Sequence, residues 1–187
     1  MRTAQPDKRT RLIETATKLA YGRGFRETSL ADIAEAARVP VGNVYYYFKT
    51  KEELAEAVVE RRLDEFRAAR AEWDRLGSPK ERLLAFVGSV HANREQLARG
   101  GCPVGGLCSE LHKEGGALAK KSATLFTEPI GWLQKQFRAA GHDKDSRELA
   151  MHLFSSFQGM AAVAHGANDP KVVVMEVRRL KNWINTL

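Results

Sequence analysis

Apolar positions recur every three to four residues along almost the whole chain, and no segment alternates with period two. That spacing lines one face of an α-helix and predicts an all-α protein. Leu12, Ile13, Ala16, Leu19 and Ala20 predict a first helix, closed by the glycines of YGRGF. Leu30, Ile33, Ala34 and Ala37 predict a short second helix with Thr28 or Ser29 as its N-cap. RVP breaks that pattern, and Pro40 suits the entrance of a short third helix, VGNVYYY. A long helix opens at KTKEEL and reaches Leu76, where GSP stops it. Further helices are predicted at about 79–98, 104–113, 116–140, 145–167 and 170–186. Their separators are RGGCP, EGG, AGHDKD and ANDP; in the last, Asp169 can cap and Pro170 take the first helical position.

The third helix does not fit a core. Consecutive helical side chains point about 100° apart, so Tyr45, Tyr46 and Tyr47 cannot share one buried face. Some phenol faces outward, next to the small and open pair Gly42 and Asn43. A short helix, a tight turn and another short helix, backed by a first helix, have the spacing of a helix-turn-helix.

Charge sharpens this picture. The 187 residues carry 30 Lys and Arg against 23 Asp and Glu, a net +7 that favours anionic partners. Residues 1–51 hold ten of the basic side chains and five of the acidic ones, whereas residues 52–187 are close to balance. A nonspecific DNA-packing protein needs basic charge spread over its surface, which this distribution lacks. The start of the chain has no apolar core after its basic residues, and no apolar run approaches membrane-spanning length. Two cysteines are too few for a disulfide scaffold and suit a reducing compartment, so a cytoplasmic location is expected.

GFRETSLADIAEAARVPVGNVYYYFKTKEEL resembles the TetR family of transcriptional regulators. The resemblance covers about 50 residues: Gly24-Phe25, Thr28-Ser29, Ile33-Ala34, Val44 through Phe48, and Thr50-Lys51-Glu52-Glu53-Leu54. It departs from the family pattern at the turn, where Arg38 replaces the usual Gly, and before Phe48, where Tyr47 replaces the usual His. It implies a DNA-binding domain over residues 1–50 and a larger helical effector-binding and dimerisation domain over residues 51–187. The third helix would lie in the major groove of operator DNA. Gly42 would permit close approach, Asn43 would bond a base edge, adenine being its best match, and Val41 would meet a thymine methyl. Tyr46, Tyr47 and Tyr45 would bond phosphates, with a mostly buried Tyr45 as the alternative. Thr28 and Lys51 are expected at phosphates too.

The C-terminal helices are apolar around much of their circumference. Leu149, Leu153, Phe157, Met160 and Ala164, followed by Val173, Val177, Leu180 and Ile184, read as a dimer seam or as an internal helix pair. The family resemblance favours a homodimer reading a palindromic operator. An effector pocket is expected between the long helices, lined by Trp73, Phe86, Val90, Phe126, Ile130, Trp132 and Phe157, with His91 and His112 as polar groups. Each of these also reads as plain core.

GGCPVGGLCSEL holds both cysteines and resembles a segment near the effector pocket of some TetR-like regulators. Cys102 is expected at a helix start, where N–H groups favour a thiolate; Cys108 is deeper. Either both thiols are inert or they sense oxidants or electrophiles. Zinc spacing is absent, no cofactor or metal is implied, and neither cysteine has the orienting groups a nucleophilic enzyme needs. The expectation is a ligand-responsive repressor and not an enzyme.

Overall fold

The computed structural model describes residues 7–187, which contain helices and no strand. These are α1 (Lys8–Arg23), α2 (Leu30–Ala36), α3 (Val41–Tyr47), α4 (Lys51–Trp73) and α5 (Pro79–Ala92). They continue with α6 (Arg94–Gly100), α7 (Pro103–Lys113), α8 (Gly116–Ala139), α9 (Ser146–Ala167) and α10 (Lys171–Thr186). None is long and apolar enough to cross a membrane.

Local chemistry accounts for most of the boundaries. Asp7 caps α1 by accepting from the Thr10 N–H at 2.9 Å. Ser29 with Asp32, and Ser78 with Glu81, form reciprocal capping boxes at α2 and α5, and Pro79 opens α5. Asp169 accepts from the Lys171 N–H at 2.9 Å, and α10 begins at Lys171, one residue after the expected start. The helix expected over 79–98 splits at Asn93, whose side-chain amide donates to the Ser89 carbonyl at 3.3 Å. A short amide that competes for backbone partners ends a helix without any Gly or Pro to announce it.

The chain divides into two compact units, Met1–Asp64 with Gly106–Leu125, and Glu65–Gly105 with Phe126–Leu187. The division expected at residue 50 falls inside the first unit. There α1, α2 and α3 pack on one another, and Leu12, Ile33, Val44, Leu54 and Val58 are fully buried.

In the second unit α10 packs on α5 and α9, and α6 packs on α9. Leu83, Leu133, Phe137, Leu153 and Ile184 form its centre. Arg67 donates to both Glu128 oxygens, at 2.9 and 3.0 Å, and the Trp132 indole N–H donates to Asp74 at 2.9 Å.

This packing corrects the expected dimer seam. Leu153, Met160, Ala164, Val173, Val177, Leu180 and Ile184 are all buried within one chain, and Leu149 and Phe157 pack partly buried against them. Each helix carries two apolar stripes, and the stronger one closes the core of its own chain. The weaker stripe stays outside as Met151, Val163, Val174 and Met175.

Candidate nucleic-acid interface

The turn that presents α3 is built from backbone geometry. Arg38 has φ 54°, a left-handed conformation that costs a non-glycine residue about 1 kcal/mol. The cost is offset by two hydrogen bonds that close α2: the Arg38 N–H to Glu35 O at 3.0 Å and the Val39 N–H to Ala34 O at 2.9 Å. These are the paired bonds of a Schellman motif, with buried Val39 as its apolar anchor. Pro40 then enters α3, and the Asn43 N–H reaches back to its carbonyl at 2.8 Å.

Burial sorts the residues of α3 into two sets. Val44 and the following Phe48 are buried and fix the helix to the unit. Val41, Gly42, Tyr45 and Tyr46 are exposed, Tyr46 by 74%, and Asn43 and Tyr47 are half-buried. At 51% exposure Tyr45 is a surface residue, which settles its two readings against the core. The Asn43 amide and the Tyr45 and Tyr46 hydroxyls have no hydrogen-bond partner among the described residues. Tyr46 and Tyr47 brace each other edge to face at 5.0 Å. The result is an open row of apolar, amide and phenolic groups at successive i, i+3 and i+4 positions.

Two expected contact residues are placed differently. Thr28 is fully buried: its hydroxyl donates to Gly24 O at 2.7 Å and accepts from the Arg23 side chain at 3.3 Å. It cannot meet a phosphate, and Ser29 is the exposed cap instead. The Asp32 carboxyl in that cap is held below the ordinary carboxylate range, chiefly by bonds from Ser29 and then by Arg23. The ammonium of Lys51 donates to Arg26 O at 2.8 Å and lies 5.3 Å from the Phe25 ring centre. One of its three N–H donors is thereby used at an exposed position, as for Lys49. Exposed Arg38, on the left-handed turn, and Lys49, which donates to Tyr45 O at 3.1 Å, are the cations beside α3. The sequence showed Arg38 as the turn residue and Lys49 only as charge.

The expected effector residues divide. Trp73, Phe86, Trp132 and Phe157 pack ring on ring in the second unit, with centres 5.4 to 6.2 Å apart along the chain of contacts. Val90, Phe126, Ile130 and Cys102 join the same core. His91 is exposed and has no place in it. His112 and Cys108 belong to the first unit, His112 exposed and Cys108 buried. Burial pushes the Cys108 thiol above its ordinary range, against a smaller opposing bond from Ser122.

Comparison with known proteins agrees with this geometry. Residues 12–58 match the family model of "Bacterial regulatory proteins, tetR family". The HTH-type transcriptional regulator TtgR of Pseudomonas putida is 43% identical over 54 residues, 29% of this chain and 26% of TtgR. That likeness is therefore confined to about a quarter of the relative. The HTH-type transcriptional repressor ComR of Escherichia coli is 27% identical over 183 residues, covering 91% of this chain and 86% of ComR. A TetR transcriptional regulator from Legionella pneumophila shares the fold with a TM-score of 0.87 at 20% identity, covering 96% of this chain and 98% of that one.

Proposed function

Because this chain belongs to the TetR family of bacterial regulatory proteins, we propose that it is a homodimeric repressor that reads a palindromic operator with α3. A small molecule bound in the unit of residues 65–105 and 126–187 then releases the DNA. The observation that carries the reading is the outer row of α3, where the Asn43 amide and the Tyr45 and Tyr46 hydroxyls have no hydrogen-bond partner among the described residues. Asn43 pairs an adenine edge, Val41 meets a thymine methyl, and the tyrosines bond phosphates. A two-fold dimer formed on the outer stripe of α9 and α10 presents two such helices to a palindrome.

Gln158 supports the effector role. Its side-chain nitrogen is buried with no hydrogen-bond partner among the described residues, which costs about 1–3 kcal/mol unless an acceptor arrives. Gly105 leaves room for it: a Cβ there would stand 2.5 Å from the Gln158 oxygen. An effector with a carbonyl or similar acceptor satisfies this donor beside the aromatic core.

Asn43→Ala tests the base reading. Operator affinity should fall by about 1–3 kcal/mol while random-DNA affinity and the salt slope hold. An equal fall on both DNAs sinks the assignment of Asn43 to a base.

One contact favours a thiol-sensing form of the same repressor. The half-buried Cys102 sulfur accepts from the Gly105 N–H at 3.3 Å. Peroxide would take two electrons from that sulfur, giving a sulfenic acid while the other peroxide oxygen leaves as water. Operator release by peroxide should then persist in Cys108→Ser and vanish in Cys102→Ser. Release that survives in Cys102→Ser leaves the noncovalent effector alone.

A further inference from the structure

We propose that a cleft beside the helix-turn-helix is a second ligand site, for an organic cation with an apolar body, and that its occupancy acts on the turn between α1 and α2. The cleft lies within the first unit and encloses about 500 Å³, a volume ordinary for small-molecule sites. Phe25, Leu111, Ala117 and Leu118 supply its apolar lining.

Its charge is opposite to that of its surroundings. Glu52, Glu56, Glu110 and Glu114 line it against only Arg26 and Lys51, in a chain whose net charge is +7. Lys51 is occupied by Arg26 O and the Phe25 ring. Glu56 and Glu114 have no ion-pair partner among the described residues. A surface meant for phosphates would be repelled by such a lining, so the cleft is not an extension of the DNA-reading face. Carboxylates around an apolar floor fit a cation whose charge is carried on a hydrophobic body.

Glu110 joins the cleft to the helix-turn-helix. Its Oε2 accepts from the Phe25 N–H at 2.7 Å and the Arg26 N–H at 3.1 Å. Both bonds fall on one oxygen, and Oε1 accepts none among the described residues. Gly24, at φ 90°, leaves space for that carboxylate: a Cβ there would stand 2.8 Å from Oε1. The turn that leads into α2 is thus fitted around Glu110. A cation drawn to Oε1 competes for charge that now holds the Phe25 and Arg26 amides.

Tetraphenylphosphonium and its isosteric anion tetraphenylborate separate charge from hydrophobicity. Titrated calorimetrically into the full chain, the phosphonium should bind and the borate should not. Glu56→Gln with Glu114→Gln should weaken phosphonium binding at least tenfold. Ala117→Trp, which fills the cleft from an exposed position, should do the same and gives the answer if the double variant fails to fold. Equal binding of the borate, or wild-type phosphonium affinity in the cleft-filling variant, overturns the site. Hydrogen exchange at the Phe25 and Arg26 amides should rise when the phosphonium is bound; unchanged exchange with binding intact overturns the link to the turn. Operator affinity without any ligand is read separately by the Asn43 experiment, so failure here leaves the repressor reading standing.

Discussion

Gly42→Ala is expected to weaken operator binding by about ten- to a hundredfold while leaving the free protein as stable as before or more so. The two effects have opposite signs because they have different origins. Gly42 is an exposed residue in the first turn of α3, it has no positive φ, and a Cβ built on it meets nothing within 4 Å. Within the chain, alanine should therefore gain about 0.5–1 kcal/mol of helix propensity at no steric cost. Nothing in the folded protein asks for glycine at this position. The demand comes from outside if α3 lies close against a groove, where an added methyl overpacks the contact by about 1–3 kcal/mol. Each 1.4 kcal/mol is a tenfold change in affinity. Thermal unfolding and operator titration of the same preparation check both signs. Unchanged operator affinity means that α3 does not approach DNA along its Gly42 side.

Val163→Glu should give a folded monomer, whereas Leu180→Glu should give an unfolded chain. Val163 is 57% exposed on α9, so a glutamate there stays solvated in the single chain. In a dimer that uses the outer stripe, two-fold symmetry brings the change in twice, and each carboxylate loses water without gaining a partner. Such a charge costs several kcal/mol, enough to separate subunits held by an ordinary interface. Leu180 is 3% exposed within the core of the second unit. The same charge there is set against a total folding stability of only about 5–15 kcal/mol. Sedimentation and circular dichroism on both variants distinguish the outcomes. A stable dimer of Val163→Glu that persists when Met175→Glu is added would remove this stripe as the interface.

The helical class, most helix boundaries and the outward-facing α3 were legible from the amino-acid order alone. These depend on short-range rules: three- to four-residue spacing, capping boxes at Ser29 and Ser78, and the impossibility of burying three consecutive tyrosines on one helix face. Even Arg38 was legible as the strained turn residue, because the motif around it fixes where a left-handed residue must fall. The break at Asn93 was not, since it hangs on one side-chain bond to Ser89 rather than on a Gly or Pro.

Tertiary packing alone set the stronger apolar stripe of α9 and α10 into the core of its own chain, because such a stripe reads the same whichever neighbour covers it. It also turned Thr28 inward, gave the Lys51 ammonium to Arg26, and set Glu110 of α7 against a turn 85 residues earlier in the chain. Periodicity reports which residues can share a face. Burial and hydrogen bonding depend on what that face meets, and the partners that decide it are far away in sequence.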